Sequence, residues 1–173
     1  MNHYMKIAVL LFLALIVSSA CKSGSLPSGT ANNGPQLSVT DNAGQFSDIT
    51  DRDWFLIAVR LDSEIIELDR KTLTEQFNEI FTLRFDPERV SGVAAPNRYF
   101  GPYTQGDGQL ISLGQMAGTL MAALFEPEVL KEHEFLGYLQ NTYKWNIAGE
   151  NLELYSKNED GAEAVLVFVP AVN

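Results

Sequence analysis

Trp54-Phe55-Leu56-Ile57-Ala58-Val59-Arg60-Leu61, then Asp62-Ser63, then Glu64-Ile65-Ile66-Glu67-Leu68, is the stretch that decides the fold class. Aromatic and β-branched residues dominate it, and the polar pair at its middle suggests a hairpin rather than a crossover. Downstream, Ile80 to Phe85 alternates, with Phe81, Leu83 and Phe85 on one face and Thr82 and Arg84 on a wet one. Asp86-Pro87-Glu88-Arg89 reads as a turn, after which Val90 to Ala94 can pair back. Gly106-Asp107-Gly108 is a tight-turn signal between Pro102-Tyr103-Thr104 and Leu110 to Leu113. Lys144 to Ile147, Leu152 to Ser156 and Ala164 to Val169 read as three closing strands.

Helical signals are fewer. Thr72 and Glu75 have capping-box spacing ahead of a short segment ending at Asn78. Ala117 to Phe125 lacks strand alternation, and Leu120, Met121, Leu124 and Phe125 fall at helical spacings, which predicts a buried helix. Pro127 can open another, with Phe135, Leu136 and Leu139 inward and Glu128, Lys131, Glu132 and Glu134 outward. No βαβ rhythm demands a parallel sheet. The expected class is α+β: an antiparallel sheet of about eight strands curled around one main helix, with a second short helix.

The first residues carry an address. Lys6 precedes eleven apolar residues, Ile7 to Val17, and Ser18, Ser19 and Ala20 lead into Cys21. This pattern is a secretory signal peptide ending at a cysteine, and the apolar run is shorter than the roughly 20 residues needed to span a bilayer. Val17-Ser18-Ser19-Ala20-Cys21 resembles the bacterial lipobox, with Ser18 where Leu is usual. The resemblance implies cleavage between Ala20 and Cys21 and acylation of the Cys21 thiol, which makes the membrane a partner. Lys22 after the cysteine implies the outer membrane by the same resemblance. Lys22 to Ser47, 26 residues rich in Gly, Pro, Ser, Thr and Asn, has no period and reads as a flexible tether of about 25 to 30 Å. The expected organisation is a signal peptide at 1–20, a lipidated cysteine and linker at 21–47 and one domain at 48–173, in a chain of 173 residues.

Composition narrows the chemistry. Lys6 is the one charged residue among the first twenty, so the remainder carries 11 basic against 22 acidic side chains, which argues against a nucleic-acid partner. One cysteine and two histidines, His3 and His133, leave Cys/His metal sites and dyads short of parts. No Gly-x-Ser-x-Gly or phosphate-loop run occurs. His133 lies on the charged face of a predicted helix. Glu126, Glu128, Glu132 and Glu134 are spread around that surface, and the spacing of Asp51 and Asp53 before Trp54 does not by itself make an acid/base pair. The expectation is no catalytic residue, no metal and no cofactor.

Val90-Ser91-Gly92-Val93-Ala94-Ala95-Pro96-Asn97-Arg98-Tyr99-Phe100-Gly101-Pro102-Tyr103 reads as a tightly specified loop. Asn97 can bond neighbouring backbone, and Tyr99 and Tyr103 offer amphipathic rings. It is either a structural corner or a contact with a ligand or partner, with Asn97, Arg98, Tyr99 and Tyr103 the candidate residues.

Trp54-Phe55-Leu56, Val90-Ser91-Gly92, the run Asn97 to Tyr103, Thr119-Leu120-Met121-Ala122-Ala123, Glu134-Phe135 with Leu139, and Leu152-Glu153-Leu154 resemble, in order and spacing, the META domain of HslJ-type bacterial lipoproteins. Two cysteines of the family pattern are Pro96 and Ala123 here, which implies that a loop-to-helix bridge is replaced by proline rigidity and packing. The resemblance implies an antiparallel sheet partly wrapped around a helix, no established catalytic residues, and relatives induced by heat or linked to antibiotic tolerance. The function expected is therefore non-enzymatic: an envelope lipoprotein that binds a protein or other envelope component. A carrier of small molecules or lipids with an apolar cavity is the alternative, and a carboxylate hydrolase the second alternative.

Overall fold

A computed structural model describes residues 44–121, 126–158 and 160–171. Ala20, Cys21 and all but the end of the expected tether lie outside the described residues, as do Ala123, Leu124 and Phe125. Phe46–Asp48 forms a 3-10 turn, followed by β1 (Asp53–Leu61), β2 (Ile65–Glu67), α1 (Arg70–Phe77), β3 (Thr82–Phe85), β4 (Val90–Val93) and β5 (Arg98–Gly101). Then come β6 (Tyr103–Gln105), β7 (Ile111–Leu113), β8 (Ala117–Gly118), α2 (Glu132–Gln140), β9 (Thr142–Ala148), β10 (Asn151–Lys157) and β11 (Glu163–Pro170).

Nine strands, more than the eight or so expected, form one sheet in the order β8-β5-β4-β3-β1-β11-β10-β9, with β2 on β1 beside β3, while β6 and β7 make a separate hairpin. The ladders between these strands are antiparallel. A register shift in β1 between Leu56 and Ala58 bends the strand, so its first part pairs with β3 and its second with β2. The sheet curls until β9 meets the hairpin: the Trp145 N–H donates to the Gln109 carbonyl at 2.9 Å, and Leu110 bridges Lys144. Both expected hairpins, around Asp62-Ser63 and around Asp107, are present, and so are the three closing strands.

The inner face is filled by large side chains, among them Trp54, Phe81, Phe85, Phe135, Trp145 and Phe168, all fully buried. The Trp54 indole N–H is satisfied by the Ile49 carbonyl at 3.0 Å. Phe46, just ahead of the expected domain start at Asp48, already packs against Phe85, Tyr103 and Trp145, with ring centroids 5.5, 5.4 and 5.8 Å away.

Three expectations are corrected. The helix on the inner face is α2, whose Phe135 and Leu139 are buried and which opens at Glu132 with Lys131 as its N-cap rather than at Pro127, and residues 117–121 of the run from Ala117 are not helical. Ala117–Gly118 is strand β8, pairing Gly118 with Tyr99 and Ala117 with Phe100. Leu120 is 102% exposed and Met121 61%. Short apolar runs do not separate helix from strand by periodicity. Backbone pairing decides here, since the Thr119 N–H reaches the Arg98 carbonyl at 3.0 Å, and a Cβ on Gly118 would lie 2.9 Å from that oxygen. Second, α1 begins earlier than the Thr72 capping box implies. Asp69 is its N-cap, accepting from the Lys71 N–H at 3.1 Å and from the Thr72 hydroxyl at 2.6 Å. Third, β3 starts at Thr82. Phe81 sits in the left-handed region with φ 52°, held by Phe81 N–H to the Ala94 carbonyl and Leu56 N–H to the Phe81 carbonyl, both 3.0 Å.

Tyr99 crosses β4 at Gly92. Its hydroxyl donates to the Thr82 carbonyl on β3 at 2.7 Å, while its ring meets Phe135 of α2 edge-on at 5.9 Å. A Cβ on Gly92 would lie 2.1 Å from the Thr82 oxygen and 2.7 Å from the Tyr99 hydroxyl. Gly92→Ala therefore destabilises the protein by about 3 kcal/mol, because backbone on a neighbouring strand cannot yield like a flexible side chain. Tyr99→Phe, which loses one hydrogen bond, costs only about 1 to 2 kcal/mol. Urea unfolding of both variants checks the order.

Candidate functional site

The side chains pointing away from the core on β1, β3, β4 and β5 form two rows. Register places Asp53, Arg84, Ser91 and Phe100 side by side in one. Phe55, Thr82, Val93 and Arg98 form the other, with the Val93 N–H on the Thr82 hydroxyl at 2.9 Å. Together with Arg89 and Glu79 they line an open groove of about 590 Å³. At about 4.8 Å per strand it extends roughly 14 Å across the sheet.

Cations concentrate there. Of the six arginines in the sequence, Arg84, Arg89 and Arg98 line the groove, and Arg70 stacks its guanidinium 4.8 Å from the Phe55 ring centroid. Arg70 also donates to the Ile80 carbonyl at 2.9 Å, and burial lowers its pKa while the Glu79 charge opposes the shift. Arg84 is matched by three carboxylates: Asp86 at 2.8 Å, Asp53 at 3.6 Å and Asp51 at 3.8 Å. The Asp86 hydrogen bond raises its pKa, so it stays charged. Arg89 and Arg98 are exposed. Arg89 lies 5.7 Å from the ring centroid of Phe100, itself 49% exposed.

The expected contact loop is largely strand, since Arg98 and Tyr99 lie in β5 and Tyr103 opens β6 with, among the candidate residues, only Asn97 outside them, and its residues divide between structure and surface. Tyr99 is 2% exposed, and burial pushes its pKa well above the usual phenol value. Tyr103 packs against Phe46 and Phe85 and donates to the Asp86 carbonyl at 2.9 Å. Arg98 is on the groove. Asn97 fastens three segments. Its side-chain oxygen accepts from the Met121 N–H at 2.7 Å and the Thr119 hydroxyl at 2.8 Å, and its amide donates to Glu132 at 3.1 Å and to the Met121 carbonyl at 3.3 Å. The Ala95–Pro96 peptide just before it is cis.

Asp51 and Asp53 face Arg84. His133 is exposed on α2, Glu132 bonds Asn97, and Lys131 N–H donates to Glu134 at 2.8 Å. Among the described residues no group of three or more His, Cys, Asp or Glu side chains is placed to hold a metal ion. Phe55, Arg89 and Phe100 are not among the candidate residues the sequence suggests, although the alternation of Ile80 to Phe85 turns Thr82 and Arg84 outward beside them.

A second polar cluster lies farther along the outer face. Glu153, 7% exposed, accepts from Arg60, from the Tyr155 hydroxyl at 2.8 Å and from the Asn146 amide at 3.4 Å. Burial pushes its pKa up, but these three donors outweigh that and hold it below the usual carboxylate value. The Gln109 amide donates to the Asn146 oxygen at 3.1 Å, tying the hairpin to β9.

Asn97→Ala removes the anchor of residues 119–121 and is expected to cost about 1 to 3 kcal/mol, with faster amide exchange at Thr119 and Met121. Hydrogen exchange and denaturant unfolding measure both. Alkaline pH gives an independent check. The Glu163 hydrogen bond pushes Tyr143 up to about 12, and burial raises Tyr99, Tyr103, Tyr138 and Tyr155. Folded pKa values above the unfolded one of about 10 contribute stability that is present below pH 10 and lost as pH rises through the folded values. Absorbance at high pH should show the buried Tyr99 phenol ionising together with unfolding, while Tyr143→Phe removes part of the stability loss.

The fold and sequence both have relatives. An NMR structure of a protein from Burkholderia xenovorans superposes with a TM-score of 0.56 over 83% of this chain and 99% of its own, at 19% identity, which is a likeness of fold. No curated protein matches the chain. The META domain family model matches residues 47–172, from just before the 3-10 turn's last residue to beyond β11. With most of its length covered by that match, the chain belongs to the META domain family.

Proposed function

We propose that this protein is a non-enzymatic envelope lipoprotein, lipidated at Cys21 and held at the outer membrane, whose META domain works by binding a protein or other envelope component. META membership supports an envelope-associated, stress-related domain. The Cys21 lipobox and the flexible linker support the tether. More than one acyl chain on that thiol would anchor it stably, at about 0.8 kcal/mol per buried CH₂.

The observation that carries the binding reading is the groove, where exposed Arg89, Arg98 and Phe100 stand together on a rigid four-stranded face. Rigid strands lose little entropy when a partner docks, and an exposed aromatic beside arginine is typical of binding hot spots. The filled inner face favours contact on the outside over an enclosed ligand. Arg98 belongs to this contact, whereas Asn97, Tyr99 and Tyr103 shape the frame behind it.

A photo-crosslinking residue placed at Phe100 in living bacteria should give reproducible adducts, and one at Asp62, in the turn after β1, should not. Cys21→Ser should move the protein from the membrane fraction to the soluble fraction and reduce those adducts. Absence of adducts at Phe100, or a Cys21→Ser protein still in membranes, would overturn the proposal.

A further inference from the structure

We infer that the groove on the outer face takes an extended acidic segment of a partner polypeptide, in which two carboxylates flank an apolar side chain. This rests on reading the domain as a binding module and goes on to specify what it binds. The chain has 22 acidic and 12 basic side chains, so internal partners for arginine are plentiful. Arg84 has found Asp51, Asp53 and Asp86. Among the described residues, neither Arg89 nor Arg98 forms an ion pair. In an acidic protein, two unmatched guanidiniums on one face are an electrostatic vacancy for carboxylates.

Their arrangement sets the ligand's pattern. Arg98 and Phe100 share a side of β5, two residues or about 7 Å apart. Arg89 approaches the Phe100 ring from the other end of the strand, because Val90 opposes Gly101 while Arg98 opposes Val93. Standing on either side of the ring, the two cations suit two separate carboxylates. An extended peptide places residues i, i+2 and i+4 on one side at steps of about 7 Å, so acid, apolar and acid meet Arg98, Phe100 and Arg89 in turn. Thr82 and Ser91 beside them offer hydroxyls to the peptide backbone.

The probe is a fluorescein-labelled ten-residue peptide with Glu at i and i+4 and Leu at i+2 in a Gly/Ser background, read by anisotropy against the full-length protein in neutral detergent. It should bind about tenfold more tightly than its Gln counterpart and weaken as salt rises from about 50 to about 300 mM. Arg89→Gln with Arg98→Gln should remove that preference, while Lys144→Gln with Lys157→Gln on another part of the sheet should keep it. Equal binding of the Glu and Gln peptides, or a preference surviving loss of both arginines, would overturn the inference. Dihexanoyl phosphatidylglycerol saturating the groove at lower concentration than the peptide would also overturn it, in favour of a lipid headgroup. If Phe100 still crosslinks in cells while the acidic peptide fails, this inference falls and the binding module stands; if both fail, both fall.

Discussion

The ring of Tyr99 lies over a backbone that carries no side chain, and from there its hydroxyl reaches the Thr82 carbonyl on the strand beyond. This contact joins β3, β4 and β5 on their inner side, and the ring's other edge meets Phe135 of α2. Gly92 is the condition for all of it, because any Cβ there would occupy the space of the Thr82 oxygen. A buried hydroxyl with one good acceptor adds less energy than the apolar contacts around it, but it allows a single register.

Register is what gives the outer face its character. Once Gly92 is opposite Tyr99, Val93 must stand beside Arg98 and Ser91 beside Phe100. The same ladder continued through β3 and β1 sets Arg84 next to Asp53 and Thr82 next to Phe55. A slip by one residue would turn these side chains into the core and bring Tyr99 and Leu83 out. The tightness of the inner face and the layout of the groove are therefore two sides of one constraint. Asn97 extends it, since its side chain holds residues 119–121 along β5 and touches the first turn of α2 through Glu132.

Much of the fold was legible because strand signals here are local. The alternation in Ile80 to Phe85, the polar pair at Asp62-Ser63 and the Gly106-Asp107-Gly108 turn each mark an element without help from distant residues. The run from Ala117 was misleading for the opposite reason. Its small and apolar residues suit a helix as well as a close strand, and only the carbonyl of Arg98 and the side chain of Asn97 settle the matter for residues 117–121. Within the candidate loop, the residue types were legible and their division of labour was not. Tyr99 and Arg98 are neighbours in sequence, yet a strand sends them to opposite faces.

Sequence alone determined the strand-rich antiparallel class, the family and the positions of the turns, because hydrophobic period and turn chemistry act over a few residues. Tertiary structure decided which helix backs the sheet, that Asn97 is a fastener, and that Arg89 joins Arg98 around Phe100. Those outcomes depend on which strands become neighbours and in what register, and pairing between residues far apart in the chain leaves no local trace in the order of amino acids.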